Sequence, residues 1–220
     1  MQLHRHDLLH ADISAWDAML QCHLDLADLP LVAEWARLER PVIVRRRMAT
    51  DSANCVPAAL PLPPKYGKQR LAFSFACNAG VVASPPVLLC EAAQAAPRAW
   101  HALIEALLEL GDASGVRPRV FGALLWQHAT GLPYLSAGSD LDLLWSVSDE
   151  RTATSLAEEL LRLDGGGPVR LDGELALPDG AAVNWRELAC GTANLLVKTM
   201  NGVQIRTRAA LFRMPVSPSC

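Results

Sequence analysis

Short apolar segments bounded by polar or turn residues are spread along the chain, and they predict β-strands. The segments are RPVIVRRR, RLAFSFA, SDLDLLW, VRLDGELA and NLLVKT. RPVIVRRR is rich in β-branched residues, and in RLAFSFA the large apolar residues recur at every second position, which is the period of a strand whose side chains point alternately to the two faces of a sheet. Pro and Gly occupy the loop LPLPPKYGKQ before the second segment, as is typical of a turn between strands.

Two longer segments have the spacing of amphipathic helices. In residues 97–110 the apolar residues recur every three or four positions, with Pro97 at the start and Gly111 as the expected end. A second helix is predicted over residues 149–163, capped by Asp149 and followed by a run of three glycines. The second half of the chain is thus predicted to run strand, helix, strand, helix, strand, which is typical of an α/β domain.

The chain of 220 residues is long enough for two small domains. The segment NAGVVASPPVLL, at residues 78–89, interrupts the pattern with small residues and two prolines, and we place the domain boundary there. The expected organisation is a small mixed N-terminal domain over residues 1–82 and an α/β (α+β) domain over residues 83–220. With 51% hydrophobic and 20% charged residues, the composition is that of a globular protein with a sizeable core.

Charge, cysteines and hydropathy argue against several classes of protein. The formal net charge of −3 disfavours a general nucleic-acid binder, which needs an excess of Lys and Arg. The six cysteines are widely spaced and include no C-x-x-C pair, so we expect reduced, mostly buried thiols and neither disulfides nor a zinc site. No apolar run reaches the length of a membrane span, and the N-terminus lacks the apolar segment of a signal peptide, which predicts a soluble cytoplasmic protein.

Charge is unevenly distributed in the N-terminal domain. Residues 1–36 contain one Arg and six acidic residues, a net charge of −5, whereas residues 37–70 contain eight basic and two acidic residues, a net charge of +6. One interpretation is a solvated surface that balances the acidic segment. The other is a docking surface for an acidic or phosphorylated partner. The basic residues are Arg37, Arg40, Arg45, Arg46, Arg47, Lys65, Lys68 and Arg70.

Two aspartates, Asp140 and Asp142, stand one residue apart in the apolar segment SDLDLLWSV. A neutralising partner is expected because an unpaired carboxylate is costly to bury. In a strand both side chains share one face, with Leu141 and Leu143 on the other. Two adjacent carboxylates form a hard-oxygen site for Mg²⁺, which takes one or two carboxylates together with substrate phosphates. Since this spacing also arises by chance, the surrounding sequence has to decide its meaning.

The surrounding sequence is RVFGALLWQHATGLPYLSAGSDLDLLW, which predicts a strand, a glycine turn that opens a helix, a loop and the aspartate strand. It resembles the nucleotidyltransferase fold of the DNA polymerase beta type, in which a Gly-Gly or Gly-Ser turn holds the phosphates of a triphosphate and Asp-x-Asp follows on the next strand. The resemblance implies that Gly122, Ala123 and Ser139 contact the substrate. Ala123 lacks the hydroxyl of the Gly-Ser turn, whereas the backbone donors of the turn are retained.

The same resemblance implies a third carboxylate on a later strand. The segment VRLDGELALPDG supplies Asp172 and Glu174, one of which is expected to join the Asp-x-Asp pair as a metal ligand and catalytic residue. We favour Asp172, and Glu174 stays open as a metal ligand. Arg119, just before the glycine turn, and Lys198, in NLLVKT, are either charges that balance the polyphosphate of the substrate or surface charges.

Further segments make the resemblance closer than the fold alone. RHDLL, RPVIVRRR, LPLPPKYGKQR, RVFGALLWQ, GLPYL, SDLDLLW, VNWREL and LLVKT together are similar to the MdcG family, the phosphoribosyl-dephospho-CoA transferases of bacterial malonate decarboxylase. Membership implies Mg²⁺-dependent transfer of the 2'-(5''-phosphoribosyl)-3'-dephospho-CoA moiety from its triphosphate precursor to a serine of the apo acyl carrier protein, with release of pyrophosphate. Two other classes stay open, namely a different protein-modifying nucleotidyltransferase and a non-catalytic module that binds the carrier protein.

Overall fold

The computed structural model describes residues 3–67 and 69–213, so Lys68 of the basic loop and Cys220 lie outside the described residues. The chain forms two compact units. The first runs to Pro86 and also includes Ala129–Pro133, and the second comprises Val87–His128 and the chain from Tyr134 onward. The division thus lies at Pro86, within the proline-containing interruption of the sequence.

The first unit is a five-stranded antiparallel sheet with short helices. Its strand order is β4-β3-β2-β1-β5, and each pairing is antiparallel. Strands β2 and β4 confirm two of the predicted segments, RPVIVRRR and RLAFSFA. The elements are β1 (Leu8–Ala11), α1 (Ile13–Gln21), α2 (Leu24–Ala27), α3 (Pro30–Ala33), β2 (Val42–Val44), β3 (Cys55–Pro61), β4 (Arg70–Ala76) and β5 (Val81–Ser84).

Aromatic residues of α1 and β4 form the centre of the first unit. Asp12 caps α1 by accepting a hydrogen bond from the backbone N–H of Ala15 at 2.7 Å. The Trp16 ring then lies edge-on to Phe73, with ring centroids 5.7 Å apart, and its indole N–H donates to the carbonyl of Val32 at 2.9 Å. Both rings are buried and the polar indole N–H is satisfied, so this unit has a core of its own.

The basic segment after β2 is held in place by its own arginines. Arg45 forms a two-point ion pair with Asp51, with N–O distances of 2.7 and 2.6 Å, and its side chain is only 12% exposed. Arg47 donates to the backbone carbonyl of Ser52, in the loop between β2 and β3, and to that of Cys55, the first residue of β3. The interpretation of the basic residues as a docking surface is therefore wrong for Arg45 and Arg47, because their N–H groups donate to partners within the first unit. Of arginines 45–47, only Arg46 is exposed.

The second unit is a six-stranded mixed sheet with two long helices. Its strand order is β11-β10-β9-β8-β7-β6. Helix α7 connects β7 to β8, which are parallel, and every other pairing is antiparallel. The elements are α4 (Leu89–Ala92), α5 (His101–Ser114), β6 (Arg119–Phe121), α6 (Gly122–Thr130), β7 (Leu141–Ser146), α7 (Glu150–Asp164), β8 (Leu171–Ala176), β9 (Ala182–Asn184), α8 (Trp185–Ala189), β10 (Asn194–Lys198) and β11 (Val203–Thr207).

The side chains of this sheet alternate between an apolar face and a more polar one. Leu143, Trp145 and Leu175 lie on the apolar face and are at most 1% exposed. Helices α5 and α7 contact each other, and α7 contacts β8. Asp142 and Asp172 lie on the other face, since each is one residue from a buried leucine of its own strand. The parallel β7-α7-β8 connection thereby brings two distant segments of the sequence together.

Both long helices were expected from the sequence, and one of them ends later than predicted. Asp149 caps α7 by accepting from the backbone N–H of Thr152 at 2.9 Å, as expected for a cap. Helix α5 continues through Gly111, the predicted end. Glycine is needed at this position for packing and not to end the helix, because a side chain there would collide with Pro118. Gly115, with φ of +67°, ends the helix instead. No helix in the described part of the chain is long and apolar enough to cross a membrane.

The cysteines in the described part of the chain are all free thiols. Cys55 is buried, whereas Cys22, Cys77, Cys90 and Cys190 are exposed. The expectation of mostly buried thiols is therefore wrong. The physical reason is position, because Cys22 and Cys190 follow the last turns of α1 and α8, where the chain returns to solvent.

Candidate active site

The register of the two parallel strands brings two predicted carboxylates side by side. Asp142 of β7 pairs with Asp172 of β8, so both side chains project from the same face of the sheet. On the other side of β7, Phe121 is the partner of Asp142. Asp140 lies just before β7 begins. The Asp-x-Asp motif and the later segment LDGEL, which are about thirty residues apart in the sequence, therefore meet in one place.

The Asp142 carboxylate lacks a direct partner among the residues that the structure describes. Within residues 3–67 and 69–213 it forms neither a hydrogen bond nor an ion pair. Burial, followed by the negative charges of Asp172, Asp140 and Glu174, raises the pKa of Asp142 from 3.8 to about 7. The protein thus holds a carboxylate whose ionised form is disfavoured unless a cation approaches it.

Asp140 differs from Asp142 because it has a cationic neighbour. The guanidinium of Arg170 lies 3.3 Å from Asp140 Oδ2, and the Arg170 side chain is 61% exposed. Arg170 immediately precedes β8, so the pairing of β7 with β8 carries it to the end of β7. The sequence analysis missed Arg170 because nothing in the sequence fixes the register of two strands that are separated by a helix.

Asp172 is oriented by two donors that both bind one of its oxygens. Its Oδ1 accepts from the backbone N–H of Gly173 at 2.7 Å and from Asn184 Nδ2 at 3.2 Å. Asn184 is itself fixed, because its Oδ1 caps α8 by accepting from the N–H of Arg186. In the part of the chain that the structure describes, Asp172 Oδ2 accepts no hydrogen bond. The second oxygen is thus left for a ligand, and Asn184 is a further residue of the site that the sequence did not indicate.

Glu174, the other candidate for the third carboxylate, is engaged with Lys198. The Lys198 ammonium lies 2.7 Å from Glu174 Oε1, and Glu174 is only 3% exposed. Lys198, which we expected to balance a polyphosphate, therefore already balances a buried carboxylate. The two candidates are distinguished by their surroundings, since Asp172 faces Asp142 directly while Glu174 forms a protein ion pair.

The glycine turn between β6 and α6 lies against Asp142. Gly122 has φ of +66°, and a Cβ atom built on it would fall on Asp142 Oδ2. Only glycine therefore fits at this contact. Ala123 follows in the first turn of α6, and Arg119 lies in β6, two residues before Phe121 and on the same face of the sheet. The glycine turn therefore lies directly beside the pair of carboxylates, at Asp142.

The remaining expected substrate-binding residue, Ser139, lies in the loop before β7. Its hydroxyl accepts a hydrogen bond from the backbone N–H of Ser136 at 2.9 Å, and its own N–H donates to the carbonyl of Ser136 at 3.0 Å. These bonds close a turn immediately before Asp140. Ser139 thus fixes the loop that leads into the carboxylate strand.

The donor set fits a hard divalent cation only with help from a ligand. In the described residues, no group of three or more His, Cys, Asp or Glu side chains is gathered closely enough to hold a metal ion. Mg²⁺ commonly binds one or two carboxylates and completes its coordination with water and phosphate oxygens. Asp142, with no protein partner, and Asp172, with one unoccupied oxygen, have the chemistry that such a site needs.

Comparison with known proteins extends over nearly the whole chain. Residues 4–86 match the phosphoribosyl-dephospho-CoA transferase MdcG N-terminal domain, and residues 88–209 match the MdcG C-terminal domain. A phosphoribosyl-dephospho-CoA transferase of Bradyrhizobium diazoefficiens is 39% identical over 204 residues, which cover 93% of this chain and 90% of that protein. The boundary between the two family domains coincides with the division of the fold.

Further relatives carry the same description. A phosphoribosyl-dephospho-CoA transferase of Xanthomonas campestris is 39% identical over 183 residues, covering 83% of this chain and 86% of its own length. Another, from Azotobacter vinelandii, is 31% identical over 209 residues and covers 91% of both chains. No solved structure matches the chain. The two family domains and these relatives show that the chain belongs to the MdcG family of phosphoribosyl-dephospho-CoA transferases.

Proposed function

We propose that this enzyme transfers the 2'-(5''-phosphoribosyl)-3'-dephospho-CoA moiety to a serine of the acyl carrier protein of malonate decarboxylase. The serine Oγ forms a bond to the α-phosphorus of the triphosphate precursor, and the bond from that phosphorus to the β-phosphate oxygen breaks. Pyrophosphate leaves, and the serine proton passes to a base of the site. Family membership supports the transferred group, whereas the carrier and the leaving group are inferred.

The observation that carries this proposal is the pairing of Asp142 with Asp172. Phosphoryl-type transfer depends mainly on positioning and on neutralising charge at the phosphate oxygens. A bound Mg²⁺ would neutralise that charge and lower the pKa of the serine hydroxyl. In our proposal Asp142 and Asp172 hold the cation, Asp172 through its Oδ2, and one of the site carboxylates accepts the serine proton. Asp140 lies next to both but is partly neutralised by Arg170.

The phosphate end of the precursor is proposed to lie at the glycine turn. Gly122 and Ala123 open α6, a helix of nine residues, and the first backbone N–H groups of a helix are donors without intrahelical partners. They are suited to bind the phosphates that become pyrophosphate. A strand, a glycine turn with a helix and a following carboxylate strand also support a nucleotidyltransferase fold of the DNA polymerase beta type for the second unit.

For the carrier protein we propose a smaller basic surface than the sequence suggested. Acyl carrier proteins as a class are acidic, so a cationic patch would orient them and speed their association. Arg46, Lys65 and Arg70 are exposed residues of the first unit. The proposed docking surface consists of these three residues. It excludes Arg45 and Arg47, because their guanidinium groups donate hydrogen bonds within the first unit. A cytoplasmic location is proposed with this partner.

Mass spectrometry of the apo carrier protein tests the proposed reaction. The carrier is incubated with the enzyme, the triphosphate precursor and Mg²⁺, and the expected product is a carrier heavier by one phosphoribosyl-dephospho-CoA moiety. Pyrophosphate should appear in equal amount. Replacing the precursor with ATP or CTP is the control, because modification by these nucleotides would indicate a different protein-modifying nucleotidyltransferase. An unmodified carrier that nevertheless binds the enzyme would indicate a non-catalytic binding module.

A further inference from the structure

A cleft adjoins the candidate site at Asp140 and extends away from the paired carboxylates. It has a volume of about 570 Å³ and lies within the second unit. Asp140 and Arg170 are among the residues that line it, and these same two side chains form the ion pair next to Asp142. A molecule whose phosphates lie at the carboxylates can therefore extend directly into this cleft.

The walls of the cleft suit a nucleoside. The apolar wall includes Pro97 and Trp100, which precede α5. The loop wall is the loop before β7, which contributes the hydroxyl-bearing residues Ser136 and Ser139. A purine base requires an apolar surface for its ring and a few hydrogen-bonding groups at its edge, and ligand sites of this composition have volumes of roughly 300–1,000 Å³.

The two walls are held at a fixed separation by one side chain. Gln127 of α6 donates through Nε2 to the carbonyl of Ala95 at 2.8 Å, and its Oε1 accepts from the N–H of Leu135 at 3.1 Å. Ala95 precedes the apolar wall and Leu135 begins the loop wall. Gln127 thus uses one donor and its acceptor oxygen to connect α6 to both segments, which supports a cleft whose two walls are positioned before a ligand binds.

We propose that this cleft binds the adenosine part of the dephospho-CoA moiety, an inference that rests on the proposed function. Arg170, which lines the cleft and contacts Asp140, then lies between the adenosine and the carboxylates, where a guanidinium stabilises the charge of the phosphate on the linking ribose. A carrier protein is a less suitable occupant, because protein partners typically bury about 800 Å² on each side, a far broader area than this cleft.

Substitutions in the loop wall test this inference. Ala137 lines the cleft and is exposed, so Ala137→Trp should obstruct it. Gly138→Phe is a second obstruction, because a Cβ on Gly138 meets no atom within 4 Å and the fold should tolerate the new ring. Ala113→Trp is the matched control, since Ala113 is equally exposed but lies in the last turns of α5.

Calorimetric titration with dephospho-CoA in the absence of divalent cations is the measurement. Either obstruction should weaken the binding of dephospho-CoA at least about tenfold, the loss of roughly 1.4 kcal/mol, and the control should leave it unchanged. Binding of tripolyphosphate with Mg²⁺ should be the same in all variants. Unchanged dephospho-CoA binding in both obstructed variants would overturn the inference. If the KM for the carrier protein also rises in those variants, the cleft binds the carrier.

The same proteins distinguish failure of this inference from failure of the proposed function. If the wild-type enzyme modifies the carrier but neither obstruction affects dephospho-CoA binding, the cleft assignment is wrong and the reaction stands. If the obstructions weaken dephospho-CoA binding but the wild-type enzyme modifies no carrier, the cleft assignment stands and the proposed reaction is wrong.

Discussion

The two units of the chain treat partly buried carboxylates in opposite ways. In the first unit, Asp51 accepts two short hydrogen bonds from Arg45 and another from the N–H of Met48, and these interactions lower its pKa to about 2. In the second unit, Asp142 has no partner in the described residues, and burial beside other carboxylates raises its pKa to about 7. The fold stabilises the ionised form of Asp51, and it destabilises the ionised form of Asp142.

This difference separates a structural charge from a candidate functional one. A carboxylate that is fully paired holds a loop together and offers nothing to a ligand. A carboxylate that lies beside Asp172 without a cation costs the folded protein free energy, and that cost is recovered when a ligand brings positive charge. Strongly raised pKa values therefore mark candidate functional sites when geometry also supports them, as the pairing of β7 with β8 does here.

The largest effect is expected for removal of the charge at Asp142. Asp142→Asn should reduce transfer to the carrier at least about a thousandfold, because several kcal/mol of charge stabilisation at the phosphates is lost. Asp112→Asn, at an exposed position of α5, is the control and should keep full activity. Initial rates by mass spectrometry provide the measurement. Transfer within about tenfold of wild type would contradict the assigned role of Asp142.

The corresponding change in the first unit should affect stability and not chemistry. Asp51→Ala leaves the buried Arg45 guanidinium without its counter-charge, and breaking such a pair costs roughly 3–5 kcal/mol. The urea midpoint should fall accordingly, whereas Arg46→Ser, at an exposed neighbour, should change stability by less than about 0.5 kcal/mol. The pKa of Asp51 is lower in the folded protein than in the unfolded chain. The stability that the ionised Asp51 contributes should therefore be present above about pH 4 and lost as the pH falls toward about 2. Equal midpoints for the two variants would show that the pair is dispensable.

The raised pKa of Asp142 predicts the opposite pH dependence. Between about pH 4 and about pH 7 the folded protein binds more protons at this group than the unfolded chain, so stability should fall as pH rises. The expected fall is about 1–3 kcal/mol without divalent cations, after allowance for partial exposure. Urea unfolding of wild type and Asp142→Asn at about pH 5 and about pH 8 measures it. A stability difference between the two proteins that is the same at both pH values would refute the prediction.

A smaller effect is expected for the residue that orients Asp172. Asn184→Ser keeps an oxygen that can cap α8 but removes the amide donor to Asp172 Oδ1. Transfer should fall roughly tenfold with little change in stability, because partners of metal-binding carboxylates typically affect activity by 10–100-fold. The apparent Mg²⁺ requirement should rise in parallel, which a purely structural role would not produce. Lower stability with an unchanged Mg²⁺ requirement would assign Asn184 to the cap alone.

The smallest effect is expected at the glycine turn. Ala123→Ser adds a hydroxyl in the first turn of α6, where it can donate to a phosphate oxygen. The fold should be unaffected, and the affinity for tripolyphosphate with Mg²⁺ should be unchanged or up to about tenfold tighter. Gly122→Ala is the contrasting variant, since its Cβ would fall on Asp142 Oδ2 and should lower transfer strongly. Weaker phosphate binding in Ala123→Ser would contradict the placement of the phosphates at this turn.

The sequence predicted the elements of the fold better than their connections. Periodicity located β4, α7 and the strand that contains Asp172, because side-chain alternation and caps are local properties. Periodicity wrongly predicted that α5 ends at Gly111. This glycine lies inside the helix and packs against Pro118, a contact that the spacing of residues in the sequence does not indicate. In the same way, arginines 45 and 47 looked like surface charge because their partners in the following loop depend on the folded conformation.

For the candidate site, the sequence supplied the carboxylates and the structure supplied their partners. Asp142 and Asp172 followed from motif and family resemblance, but the preference for Asp172 over Glu174 gains support only from the Lys198 ion pair and the strand register. Arg170, Asn184 and the Gln127 bridge carry no motif. They become visible only when β8 is placed beside β7 and the loop wall beside α5, because long-range pairing decides which polar groups meet.

Thermal unfolding of wild type and Asp142→Asn at about pH 8, with and without Mg²⁺ and tripolyphosphate, tests most directly whether Asp142 is a charge that awaits a cation. Without ligands, Asp142→Asn should melt at the higher temperature, because it lacks the uncompensated charge. With Mg²⁺ and tripolyphosphate, the melting temperature of wild type should rise and that of Asp142→Asn should rise much less. Equal increases in the two proteins, or a less stable Asp142→Asn without ligands, would contradict the account.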